Sequence, residues 1–205
     1  MEYYVYNVPL FLIGNIPPVV DIPQFCAEVE EVVPASLCRV LDVIYVGEIP
    51  ELNGRNALYS NGAIYMKSTE PTIFDMIENF VHELAHSLEP TYGSHIYTDD
   101  LIQEFKAKRE TLYQILKAKG YDVSERLFNF TEYNEKFDHF LSDVVGYPTL
   151  LNLTMGLFAS PYGATSIQEY FANGFEKYYL DNPGRVRIIS PVLYEKITEI
   201  INDNT

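Results

Sequence analysis

Tryptophan is absent from this chain, and cysteine occurs only twice and histidine four times in 205 residues. Two thiols, Cys26 and Cys38, cannot build a Cys-based zinc site or a disulfide framework. Both are read as free thiols, which mildly favours a reducing compartment. Basic residues are also scarce: 14 Lys and Arg stand against 29 Asp and Glu, for a formal charge of −15. Such a chain repels phosphate backbones, so nucleic acid is not an expected partner, and the charge is read as an aid to solubility. No stretch approaches 18 unbroken apolar residues, so no membrane partner or span is expected. The segment Met1-Glu2-Tyr3-Tyr4-Val5-Tyr6 lacks a basic start, and Pro9, Pro17 and Pro18 break the apolar run behind it. A secretory signal is therefore not predicted, and the expected location is cytoplasmic, or released without a recognisable signal. No internal repeat or low-complexity tract is present.

What remains is a globular composition, 47% hydrophobic and rich in tyrosine, which predicts a single domain over residues 1–205. Residues 3–13 read as a strand. Asp21–Val33 reads as a short helix with Asp21 as cap and Pro34 as stop. Arg39–Val46 is the best central strand, ended by Gly47. Residues 57–60 and 63–66 flank Asn61-Gly62, a two-residue hairpin turn that needs positive φ at both positions. Pro90 is read as the end of the first-half helix; after a loop at 91–97, helices are expected over 99–119, 132–145, 150–158, 166–180 (ended by Asn182-Pro183-Gly184) and from Ser190 to about Ile201. The order is α+β: a small mixed N-terminal sheet and a helix within 1–90, then a mostly helical half over 91–205.

The helix that closes the first part carries His82-Glu83-Leu84-Ala85-His86. Residues four apart on a helix differ by about 40° in rotation and about 6 Å in rise, so both imidazoles can reach one ion. Glu83 lies about 100° round from His82, poorly placed as a ligand but able to reach a water beside the metal. From Ile73 to Leu88 one arc is read as apolar (Ile73, Phe74, Met76, Ile77, Phe80, Val81, Leu84, Ala85, Leu88) and the opposite arc holds Asp75, Asn79, His82, His86 and Glu89, with Glu83 on its border. Pro71 suits a first turn, with Ser68 or Thr69 as cap.

A catalytic zinc ion wants three protein ligands. His95 follows nine residues after His86, off the extended H-E-x-x-H-x-x-G-x-x-H pattern. Asp99 and Asp100 are arbitrary choices. Glu169, near the start of the 166–180 helix and opposite its apolar face, is the better candidate, with Glu176 as a rival or a partner behind the ligands. Ser166-x-x-Glu169 also fits a helix capping box, so cap and ligand readings both stand on spacing.

Glu169-Tyr170-Phe171-Ala172, after Ser160-Pro161-Tyr162-Gly163-Ala164-Thr165-Ser166, resembles the third-ligand segment of the anthrax lethal factor and Pro-Pro endopeptidase family of zincin-type metallopeptidases. With His82-Glu83-x-x-His86 in the correct order, the joint pattern covers about residues 78–90 and 160–178. The resemblance implies a zincin-like fold with one Zn2+ on His82, His86 and Glu169. It implies Glu83 as general base, through a zinc-bound water, and Tyr162 as the hydroxyl that meets the substrate carbonyl. The partner implied is a peptide or protein whose extended chain lies along an edge strand before the helix; residues 63–67 are the candidate, against an ordinary solvated hairpin strand. Two features depart from the family: the stretch between His86 and Glu169 is longer and carries extra helices, and Ala85 stands where the lethal factor has glycine. The sequence-level expectation is thus a zinc metalloendopeptidase. The alternative is an inactive zincin-like metal-binding or structural protein, of a look also found among bacteriophage proteins.

Overall fold

Valine and isoleucine gather in the first third of the chain, which folds into a five-stranded mixed sheet. The computed structural model describes residues 2–17 and 20–203; Pro18 and the ends of the expected 1–205 domain lie outside the described residues. Strand β1 (Tyr3–Val5) and strand β2 (Val8–Ile13) form an antiparallel hairpin. The single strand expected over 3–13 is thus broken, at Tyr6, where φ is +54°. Helix α1 (Ile22–Val32) begins as expected: Asp21 accepts a hydrogen bond from the Gln24 amide at 3.0 Å. Residues 37–40 form a 3-10 turn, so strand β3 (Val43–Gly47) starts later than the sequence pattern suggests. β3 is nevertheless central, parallel to β2 on one side and to β5 on the other.

Strands β4 (Ala57–Ser60) and β5 (Ala63–Met66) are joined by Asn61-Gly62, with φ of +48° and +82°, the left-handed pair that the turn requires. The sheet order is β1-β2-β3-β5-β4. This corrects one expectation: residues 63–66 are not an edge strand, because β5 is bonded to β3 and to β4. The hairpin turn folds β4 outward, and β4 is the edge. Gly47 makes the β2–β3 pairing possible, since a Cβ there would lie 1.9 Å from the Ile13 carbonyl oxygen. Alternate residues Ile44, Val46, Ile64 and Met66 are buried on one face. The other face carries a ladder of Phe11, Tyr45 and Tyr65, with ring centroids 6.0 and 5.3 Å apart.

Helix α2 (Ile73–Ile96) follows. Its cap is Thr72, not Ser68 or Thr69: the Asp75 amide donates to Thr72 Oγ1 at 3.1 Å and the Thr72 amide to Asp75 Oδ2 at 3.0 Å, a reciprocal capping box. Met76, Ile77, Phe80, Val81, Leu84, Ala85 and Leu88 are buried, whereas Phe74, expected on the same arc, is 51% exposed in the first turn; Phe80 meets Phe25 of α1 edge-on at 5.9 Å. The expected loop at 91–97 is helical as far as Ile96. Pro90 cannot donate to the His86 carbonyl and crowds it, at about 3 kcal/mol; the helix nevertheless continues to Ile96, which is buried.

By contact density the chain divides into two compact units, one reaching to Thr91 and resuming at Ile201, the other spanning Tyr92–Ile200. The second is helical throughout: α3 (Asp99–Ala118), α4 (Glu125–Phe128), α5 (Glu135–His139), α6 (Tyr147–Leu153), α7 (Ile167–Leu180), α8 (Pro183–Ile189) and most of α9 (Pro191–Asp203). Several helices differ from expectation: the one expected over 150–158 runs from Tyr147 to Leu153, and the short helix Glu125–Phe128 is not among those expected. The 132–145 helix begins at Glu135, capped by the Asn134 side chain, and widens into a π-helical turn over Phe140–Gly146. Asn182-Pro183-Gly184 does not merely stop α7: Asn182 accepts from the Gly184 and Arg185 amides and opens α8. Phe105, Phe158 and Tyr170 form the aromatic centre of this unit. Glu104 of α3 accepts from Tyr170 Oη and from the Val192 and Leu193 amides, and so caps α9.

Cys26 and Cys38 are free and buried. Burial, reinforced by the Glu30 charge, pushes their thiols up to about 11 and about 12. A raised folded-state pKa contributes stability that is present in full below the unfolded value near 9 and is lost as pH rises through 11 to 12. The melting temperature is accordingly expected to fall steadily between pH 9 and 11, and Cys38→Ala to flatten that slope. A melting temperature that is level over this range would contradict the assignment.

Candidate metal centre

Rotation of α2 is set by its apolar arc, and that rotation decides what the other arc presents. His82 and His86 follow each other on the half-buried side, with ring centroids 5.0 Å apart and planes at 74°. Glu89, one turn beyond, has Oε1 2.6 Å from His86 Nδ1. A carboxylate only accepts, so Nδ1 is the protonated nitrogen of this contact, and in the neutral imidazole the lone pair for a ligand role is then on Nε2.

Glu83 points to the sheet edge. Its Oε2 accepts from the Tyr59 amide of β4 at 2.7 Å. In the hairpin register Tyr59 lies opposite Ile64, a pair that exchanges no ladder bonds next to a two-residue turn. Its amide therefore faces away from β5 and is free to hold the glutamate, which leaves Oε1 of Glu83 for other chemistry.

Glu169 is the third residue of α7. Ser166 caps this helix, and the donor is the Glu169 backbone amide, 3.1 Å from Ser166 Oγ. The capping and ligand readings are thus compatible, because the cap uses the amide and not the carboxylate. The segment before it is tightly held. Thr165 Oγ1 donates to the Tyr162 carbonyl at 2.7 Å, and Asn173 donates to the Glu169 carbonyl at 2.9 Å. Arg109, fully buried on α3, donates to the Ala164 and Thr165 carbonyls at 2.8 and 3.2 Å and to the Leu127 carbonyl at 2.6 Å. Its guanidinium lies 3.9 Å from the Phe137 ring centroid, and burial lowers its pKa to about 9. Tyr162 sits in a 3-10 turn, Tyr162–Ala164. Its phenol is pushed well up by burial first, then by the charges of Glu169 and Asp138. It stays a neutral donor at any ordinary pH.

Among the described residues, His82, His86 and Glu169 form a group able to hold a metal ion: each offers one ligand atom, and these atoms lie within 4.8 Å of one another. Two imidazoles and a carboxylate are a hard-to-borderline N/O donor set that suits zinc and similar divalent ions. Donors about 2.1 Å from a tetrahedral ion stand about 3.4 Å apart, a spacing of the same order as that of this group. The rival ligands fall outside the group. His95 is exposed near the end of α2, beside Ser94; Asp99 and Asp100 are exposed in the first turn of α3; Glu176 is paired with Lys177 at 2.7 Å.

Sequence reasoning passed over Glu89, the Tyr59 amide, Asp138 and Tyr147. Glu89 was legible, since His-x-x-Glu is one turn of helix; the other three need the tertiary fold. Replacing Glu89 by Ala is expected to weaken metal retention about 10- to 100-fold in a chelator competition, with the circular dichroism spectrum unchanged. Equal retention would remove Glu89 from this role.

No helix among the described residues is long and apolar enough to cross a membrane. No family model matches the chain, and comparison with curated proteins and with solved structures finds no match.

Proposed function

We propose that this protein is a zinc-dependent metalloendopeptidase of the zincin type, similar to the lethal factor and Pro-Pro endopeptidases. The observation that carries the reading is the grouping of His82, His86 and Glu169 with Glu83 on the same helix as the two histidines. A zinc ion held by these three side chains would supply Lewis acidity, acidifying water and polarising a carbonyl. The chain's own residues do the rest. Glu83, held at Oε2 by the Tyr59 amide, takes the proton of the attacking water at Oε1 and delivers it to the departing amine nitrogen. Tyr162 donates its hydroxyl to the oxyanion that forms on the substrate carbonyl. Glu89 keeps His86 in one tautomer and one orientation. The edge strand β4 offers its outward backbone groups to an extended peptide, and Ala57 and the Tyr59 carbonyl are the positions still open beside Glu83.

Three substitutions separate the roles. Glu83→Gln is expected to retain about one equivalent of zinc by elemental analysis and to cleave no member of a degenerate peptide library. Tyr162→Phe should retain zinc and lose about 100-fold in kcat, the usual effect of one oxyanion donor at about 3 kcal/mol. Glu169→Ala should lose the zinc itself. Full peptidase activity in Glu83→Gln would refute the mechanism. Zinc bound with no cleavage by the unsubstituted protein would leave a metal-binding module and not an enzyme.

A further inference from the structure

Asp138 keeps unusual company for a carboxylate. Tyr133 donates its hydroxyl to Oδ2 at 2.9 Å, and Tyr147 lies 3.4 Å from Oδ1, at the long end of a hydrogen bond. The Tyr147 ring is 6.5 Å from that of Tyr162, at 61°. Asp138 is half-buried. Among the described residues, neither a lysine, an arginine nor a histidine is paired with it; the nearest basic neighbours in sequence are Lys136, which forms no ion pair, and His139, which is bound to Asp143. Phenol donors stabilise the carboxylate but leave its charge uncompensated, which is costly in a partly desolvated place. The rings of Tyr133 and Tyr147, which meet that carboxylate through their hydroxyls, and of Tyr162 against Tyr147, add an attraction for cations through their quadrupoles. Both features select the same kind of ligand, a positive group small enough to sit among rings.

We infer that Tyr133, Tyr147, Tyr162 and Asp138 form a recognition site for a cationic side chain, lysine or arginine, of a bound peptide. Because Tyr162 is shared, the site would stand next to the scissile bond. That placement rests on the peptidase reading; the preference for a cation does not. The π-helical turn over Phe140–Gly146 has a structural part in this. It links α5, which bears Asp138, to α6, which opens with Tyr147, and Gly146 at φ +84° makes the change of direction. The excess of acidic residues draws basic peptides to the protein at long range, while the phenols and Asp138 hold the side chain at contact.

The test uses three acetylated, amidated pentapeptide mixtures, identical but for a central lysine, norleucine or glutamate. Binding to the Glu83→Gln protein, which prevents turnover, is measured by equilibrium dialysis with mass-spectrometric readout. The lysine mixture is expected to bind about tenfold better than norleucine, with glutamate weakest. Asp138→Asn in the same background should bring lysine and norleucine level. Tyr147→Phe, which keeps the ring, should retain most of the preference. Equal binding of lysine and norleucine, or a preference that survives Asp138→Asn, overturns the inference. If Asp138→Asn loses its fold, the ratio in the parent protein decides alone. Cleavage of the same mixtures by the unsubstituted protein is scored separately. A lysine preference without cleavage refutes the peptidase and leaves the cation site. Cleavage without a lysine preference does the reverse.

Discussion

The rotational setting of α2 is the constraint on which the rest depends. Phe80, Leu84 and Leu88 are withdrawn from water together with Met76, Ile77, Val81 and Ala85. Turning the helix by one residue, about 100°, would bring large apolar side chains into water at about 2–3 kcal/mol each. The helix is therefore locked, and the lock acts on the polar arc as well. His82 and His86 share one side and Glu83 faces β4, with no residue of the polar arc needed to enforce it. Local pairs then refine the arrangement, Glu89 on His86 and the Tyr59 amide on Glu83.

The second unit achieves comparable order by a different physical route. Its central cation, Arg109, has three carbonyl acceptors and an aromatic ring instead of a carboxylate partner. A buried guanidinium so placed is stabilised only while all three carbonyls stay put. Two of them, Ala164 and Thr165, lie between Tyr162 and Glu169. The turn that carries the phenol and the helix that carries the carboxylate are thus tied to α3 by one side chain. Lys108, also buried, donates to the carbonyls of Leu157 and Ile189 and does the same for neighbouring segments.

Much of the local structure was legible in the residues. Asn61-Gly62 predicted its turn because few other residues tolerate positive φ, and Asp21 predicted its cap because its carboxylate can satisfy an amide at a helix start. The misreadings share a cause. Pro90 suggested an end to α2, yet the helix carries on to Ile96, a buried residue that only the tertiary fold supplies with neighbours. Residues 63–66 suggested an edge, yet position in a sheet is decided by partners distant in sequence, and β3 claimed that side of β5. Asn182-Pro183-Gly184 looked like a stop, although the same residues suit the first turn of a new helix.

By itself the sequence determined that two imidazoles share one side of a helix and that Glu83 stands about 100° round from the first, since the angle between residues one and four apart follows from backbone geometry alone. It also made Glu89 available to His86, one turn away. Only the tertiary structure decided that Glu169, and not His95 or Glu176, groups with the two histidines, that Tyr59 meets Glu83, and that Tyr133 and Tyr147 meet Asp138. Those groupings join residues separated by up to 87 positions, and no periodicity spans such a gap; they exist because buried apolar faces fix where each backbone segment runs, and the polar side chains take the neighbours that this leaves them.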